Sequence, residues 1–233
     1  MLPHAPRPRS PTRVRLHILR GRVGLGLVAG LSVLAGMTDA IGFLATGDFV
    51  SFMSGNTTRL AVAVSDHDLA TLWRLSLALI CFVAGNAIGV VLARGFKRRA
   101  APLLLLVAAL LGFSAIWPAD CVLPAFVSAI IAMGMLNAVV EQVNGMPIGL
   151  TYVTGALSRF GRGLGRWLIG ERPNGWRVQL VPWSGMLLGG TAGALLEHHL
   201  GLTAMAASSA LACTLALAVY FVPRSWQLGY MPR

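Results

Sequence analysis

Two short segments carry the chemistry that first needs explaining. Ser54-Gly55-Asn56-Thr57-Thr58-Arg59 sits inside the apolar run FVSFMSGNTTRLAVAV. Thr154-Gly155-Ala156-Leu157-Ser158-Arg159 repeats its pattern of small residue, glycine, hydroxyl and arginine 100 residues later. A glycine beside a serine or threonine suits a break in a helix, with Ser54 or Thr154 capping the helix that follows. The free N–H groups of such a start, together with the helix dipole, favour an anion. An arginine adds a fixed, bidentate positive charge. That set would hold a small polar or anionic substrate. The other reading is that Arg59 and Arg159 snorkel to lipid headgroups and anchor short helices.

Polar side chains recur elsewhere in apolar surroundings. Ionisable groups at membrane depth cost about 2.5–3.5 kcal/mol on insertion scales. Asp39 reads as a proton or cation site, or as the ion-pair partner of a repeat-motif arginine. Glu141 clusters with Asn137, Gln142 and Asn144 near a span end, within reach of interfacial water. Asn86 and Asn137 suit hydrogen bonds between helices. With Ser54, Gly55, Asn56, Thr57, Arg59, Thr154, Gly155 and Arg159, these are the candidate pathway residues. His198 and His199 beside Glu197 point apart, and Cys81, Cys121 and Cys213 are far apart in apolar runs, so neither a metal site nor a disulfide framework is expected. No Ser-His-Asp spacing, HExxH, P-loop or dinucleotide fingerprint occurs, so neither an enzyme nor a cofactor is expected.

The elements that must position these groups follow from composition. The chain has 233 residues, 56% hydrophobic and 12% charged. A soluble domain carries about 25% charged residues. Apolar runs of about 20 residues cross a bilayer as helices, and six occur, near 24–46, 75–94, 102–118, 122–143, 178–196 and 202–222. Two shorter apolar runs that carry polar residues, 49–64 and 147–160, read as re-entrant, interfacial or spanning elements. Basic residues stay on the cytoplasmic side of short loops. With six spans and both termini inside, 17 of the 19 basic residues are cytoplasmic, and only Arg59 and Arg74 fall outside. The net charge of +11 therefore fits a membrane orientation, and no recognition-helix or OB-type pattern points to nucleic acid.

The chain also repeats itself. GMTDAIGFLATG (36–47) returns as GMLNAVVEQVNG (134–145) at an offset of 98, with Asn137 in place of Asp39. Gly85-x-x-x-Gly89 returns as Gly189-x-x-x-Gly193 at an offset of 104. Each copy holds three spans, so the second enters the membrane from the opposite side, as in many transporters. The expected fold is an all-α polytopic membrane bundle: six transmembrane helices in two inverted three-helix repeats, each with a broken or re-entrant polar half-helix. Its parts are a disordered Arg/Pro-rich cytoplasmic tail (1–22), the two repeats (23–120 and 121–222) and a C-terminal cytoplasmic tail (223–233). The GxxxG faces suit packing between the halves or a homodimer.

Residues 29–60, AGLSVLAGMTDAIGFLATGDFVSFMSGNTTRL, resemble the opening of the YoaK-like bacterial membrane proteins. The likeness rests on Gly36, Asp39, Ala40, Gly42 and Phe43, then on the Ser54-Gly55-Asn56-Thr57 box. It implies a bacterial inner-membrane location and a six-span fold, and no substrate. The functional expectation is a small secondary transporter or permease for a small polar or anionic solute, with the lipid bilayer as its partner. The alternative is a non-transporting assembly, lipid-binding or partner-organising module.

Overall fold

The computed structural model describes residues 11–118, 121–140, 142–143, 146–147, 153–172 and 174–231. Among them the order is α1 (Pro11–Thr46), α2 (Met53–Ser65), α3 (Leu69–Gly95), α4 (Ala100–Ser114), α5 (Val122–Leu136), α6 (Val153–Leu168), α7 (Leu180–Leu200), α8 (Met205–Tyr220) and α9 (Arg224–Gln227). The two-residue strands β1 (Gln142–Val143) and β2 (Met146–Pro147) pair antiparallel between α5 and α6. Short 3-10 turns, Trp176–Gln179 and Gly201–Ala204, lead into α7 and α8.

Among the described residues, three stretches are long and apolar enough to cross a membrane: Ile18–Thr46, Leu69–Gly95 and Trp176–Tyr220. The last holds two helices, because Gly201 (φ 57°) takes a conformation that L side chains rarely adopt and ends α7. The apolar α4 and α5, 15 residues each, rise about 22 Å against a hydrocarbon core of about 30 Å. The chain is a multi-pass membrane protein.

Two boundaries differ from the sequence expectation. α1 begins at Pro11, so residues 11–22, expected to lie in an irregular arm, are helical. Proline suits the first helical position, and no glycine or proline follows until Gly21. α5 stops at Leu136, short of residue 143. Where α1 continues through Phe43 and Leu44, the sequence at the same offset of 98 has the polar Glu141 and Gln142, so the apolar pattern that sustains α1 is not repeated.

Glycines set the helix pairings. A β-carbon on Gly189 would strike the Val33 backbone, and one on Gly193 the Met37 backbone. In the other half, Gly85 abuts Ile131 and Gly89 abuts Met135. Conversely, Gly36 abuts Met186 and Gly190, and Gly134 abuts Phe82 and Asn86. The two sets interconvert by adding 98 on α1 and 104 on α3. Contacts ascend together, so α1 runs parallel to α7 and α3 parallel to α5. Both GxxxG faces are thus consumed within one chain. Of the two uses expected for these faces, packing between helices of one chain is the one seen, since backbone approach between α1 and α7, and between α3 and α5, needs those glycines.

Polar contacts fix the ends of the bundle. The Tyr230 hydroxyl donates to the Arg20 carbonyl at 2.6 Å. Arg98 donates to the carbonyls of Leu228 (3.0 Å) and Met231 (2.8 Å). The buried Gln227 accepts from Ala100 N at 3.0 Å and donates to the carbonyls of Val219 and Val222. The start of α1, the end of α3, the start of α4 and the end of α8 therefore meet at one basic end. Between α4 and α8, Ser209 Oγ donates to the Ala108 carbonyl at 2.7 Å.

Candidate functional site

At the other end, six residues join α1 to α2, and three polar groups the sequence singled out in the first half, Asp39, Asn56 and Arg59, hold them. Asp39 lies on the buried face of α1, 5% exposed. Its Oδ1 accepts from Val50 N and Ser51 N, both at 2.8 Å, and its Oδ2 accepts from the Ser51 hydroxyl at 2.8 Å. The expected ion pair with an arginine does not form. Two successive N–H groups of a chain that has left the helix need acceptors, and the carboxylate supplies both.

Asn56, fully buried on α2, accepts from Phe49 N at 3.1 Å through Oδ1 and donates to the Phe49 carbonyl at 2.6 Å through Nδ2. Its amide acts as a one-residue strand partner. Phe49 in turn stacks on Phe43, with ring centroids 4.7 Å apart, and meets Phe52 edge-on at 5.2 Å. Gly55 is required beneath these rings: a β-carbon there would lie 2.5 Å from Phe52 and 3.1 Å from Phe49.

Charge converges on Asp48, whose side chain is completely buried. Arg59 Nη2 lies 3.1 Å from its Oδ1 as an ion pair outside hydrogen-bond geometry, while Arg59 Nη1 donates to the Gly47 carbonyl. Arg74, from the second turn of α3, pairs with Oδ2. The two arginines that fell outside the positive side of the membrane in the charge count are the two that pair with Asp48. That count was the signal for Arg74, which sequence reasoning passed over. Asp48 and Ser51 carried none beyond their neighbourhood to the Asn56 box.

The helix-cap expectation is corrected. Phe52 precedes α2 and no side chain caps it. Ser54 sits inside the first turn and is exposed, because the aromatic stack, not a hydroxyl, sets the entry of the chain. The N–H groups of Met53, Gly55 and Asn56 already have backbone acceptors, which leaves little of an anion nest. Thr57 donates back to the Met53 carbonyl at 2.8 Å. Beside Arg59 a cleft of about 260 Å³ opens, walled by Thr58, Val62, Asp66, Asp68 and Thr71. Asp68 caps α3 through Thr71 N at 3.1 Å. The Thr71 hydroxyl and N–H hold its carboxyl below the usual range.

The second half is built differently. Thr154 and Gly155 lie in the first turn of α6, inside the helix and not before it, and Thr154 is exposed. Gly155 meets only Arg159 Nη1 at 3.6 Å, an ordinary contact. Arg159 Nε donates to the buried Gln179 Oε1 at 2.8 Å, and Phe160 packs on Trp176 at 5.1 Å, so α6 is tied to the turn before α7. Asn137 follows α5, half-buried, and Met146 stands where the first half has Asp48. Asn86 Nδ2 donates to the Phe82 carbonyl one turn back, at 2.9 Å, rather than to another helix. Glu141 and the segment 148–152 lie outside the described residues. Among the described residues, no three His, Cys, Asp or Glu side chains gather as metal ligands.

The family model described as "Protein of unknown function (DUF1275)" matches residues 27–219. The UPF0700 transmembrane protein RA0705 of Rhizobium meliloti (strain 1021) is 53% identical over 212 residues, 91% of this chain and 93% of that protein. No solved structure matches the chain. The matched span takes in the glycine crossings, the Asp39 anchor and the Asp48 charge cluster, and the chain belongs to the DUF1275 family.

Proposed function

We propose that the protein is a small secondary transporter or permease of the bacterial inner membrane, for a small polar or anionic solute. It has six spans, both termini in the cytoplasm, and two three-helix repeats inserted in opposite directions. The observation that carries this is the exchange of helix contacts under the offsets 98 and 104. α5 runs with α3, whereas α1 runs against α3, since the start of α1 and the end of α3 both meet the C-terminal segment. Copies α1 and α5 then run in opposite senses, which supports a repeat of the kind found in many transporters.

In this reading the polar residues of the first half latch a gate and do not bind the solute. Asp39, Asn56, Asp48, Arg59 and Arg74 clamp the outer α1–α2 connection. The second copy replaces both acids, with Asn137 and Met146, and holds α6 through Arg159 and Gln179. Unequal latches on related elements let one side release while the other stays shut. The chemistry is movement, with no covalent step. The test is uptake of small anions and polar solutes into proteoliposomes: Asp48→Ala is expected to raise leak or flux on one side only. Absence of any flux from folded protein would favour the second reading, a non-transporting module. That reading draws on the complete internal satisfaction of Asp39 and Asn56.

A further inference from the structure

We propose that the basic end of the bundle holds one anionic phospholipid in a pocket between α4, α8 and α9. The pocket, about 470 Å³, is lined by Arg99, Pro102, Leu105, Tyr220, Arg224 and Gln227. Its two guanidinium groups approach from different segments: Arg99 precedes α4, and Arg224 opens α9. Neither forms an ion pair among the described residues, and no acidic side chain lines the pocket. Among the described residues Arg224 donates to the Lys97 carbonyl, at 3.2 Å, which steadies its guanidinium at the mouth.

The floor of the pocket is closed. The Gln227 amide is saturated by Ala100 N and by the carbonyls of Val219 and Val222, so it offers a ligand nothing. Recognition falls to the two arginines at the mouth and to an apolar wall. That wall runs toward the bilayer: Leu105, just over one turn into α4, is 53% exposed, and Tyr220, the last residue of α8, is 69% exposed. Positive charge at the headgroup level above exposed hydrocarbon matches a phosphodiester carrying acyl chains. A free phosphate or a soluble anion would use the arginines and leave Leu105 and Tyr220 bare. Because α9 continues into the buried Tyr230 and Met231, the lipid would also tie the C-terminal segment to α4.

The test uses the full chain in detergent, with bound lipid counted by native mass spectrometry and thermal unfolding followed in parallel. Phosphatidylglycerol is expected to stay bound and raise the melting temperature, with phosphatidylcholine and inorganic phosphate giving no rise. Each arginine contributes roughly fivefold in affinity, so Arg99→Gln with Arg224→Gln should lose about 25-fold. Arg162→Gln with Arg166→Gln, on the exposed face of α6, should retain the lipid. If the double variant at the pocket does not fold, Leu105→Trp, which fills the pocket and keeps both arginines, is expected to displace the lipid. Retention in the pocket variants, equal loss in the α6 variant, or an equal rise with inorganic phosphate would overturn the proposal.

Discussion

Asp39→Ala removes the acceptor for Val50 N and Ser51 N, each 2.8 Å from Oδ1, and for the Ser51 hydroxyl at 2.8 Å from Oδ2. Val50 is fully buried and Ser51 is 2% exposed, so neither N–H gains water in exchange. An orphaned buried donor costs about 1–3 kcal/mol, which gives about 2–6 kcal/mol for the two. Asp39→Asn keeps Oδ1 for both N–H groups, and its Nδ2 can donate to the Ser51 hydroxyl, which then acts as acceptor. The expected cost falls to about 0.5–1.5 kcal/mol, the net worth of one hydrogen bond. Unfolding of purified protein in detergent, with flux measured on the same preparation, reads both quantities. The expected order of stability is wild type, Asp39→Asn, Asp39→Ala. An Asp39→Ala protein as stable as wild type would refute the anchor. Loss of flux in Asp39→Asn at wild-type stability would make Asp39 a titrating group instead.

Gly85→Ala and Gly189→Ala place a methyl group against the backbones of Ile131 and Val33. Each should destabilise by about 1–3 kcal/mol, and by similar amounts, in the same unfolding assay. Asp48→Ala leaves Arg59 and Arg74 facing a buried void, so it should lower the melting temperature. Combined with Arg59→Ala it should cost less than the sum of the two single changes, because one cluster is being removed twice. Tyr230→Phe loses the bond to the Arg20 carbonyl, at about 1 kcal/mol, and should speed proteolysis of the C-terminal segment. Burial pushes the Tyr230 phenol above its ordinary 10.0. The docked segment needs the neutral phenol, so docking is intact below pH 10 and weakens as pH rises through and beyond it, which proteolysis across that range would register.

The fold was legible where side-chain pattern alone decides it. Apolar length marked the helices, and the glycine spacings at 85/89 and 189/193 marked where they cross, because a backbone contact tolerates no other residue. The signature residues Asp39, Gly55 and Asn56 were visible as a group, but their task was not. Whether a carboxylate faces a solute, an arginine or two backbone N–H groups depends on where the chain turns after Thr46. Gly47, at φ 77°, marks the end of α1, but nothing in Asp48-Phe49 declares where the chain then lies. The Asp48 cluster was hidden for the same reason, since it joins α3 to α1 across 26 residues. The end of α5 was misjudged because hydropathy averages over a window, while a helix end responds to single polar residues.

The proposed function requires opposed insertion of the two halves. Single cysteines placed at His67, Lys97 and His199, in a chain freed of Cys81, Cys121 and Cys213, can be labelled with a membrane-impermeant maleimide in intact cells and in inverted vesicles. The account expects label at 67 and 199 from the outside and at 97 only from the inside. Label at 67 and 97 from the same side, or at 67 and 199 from opposite sides, would contradict it.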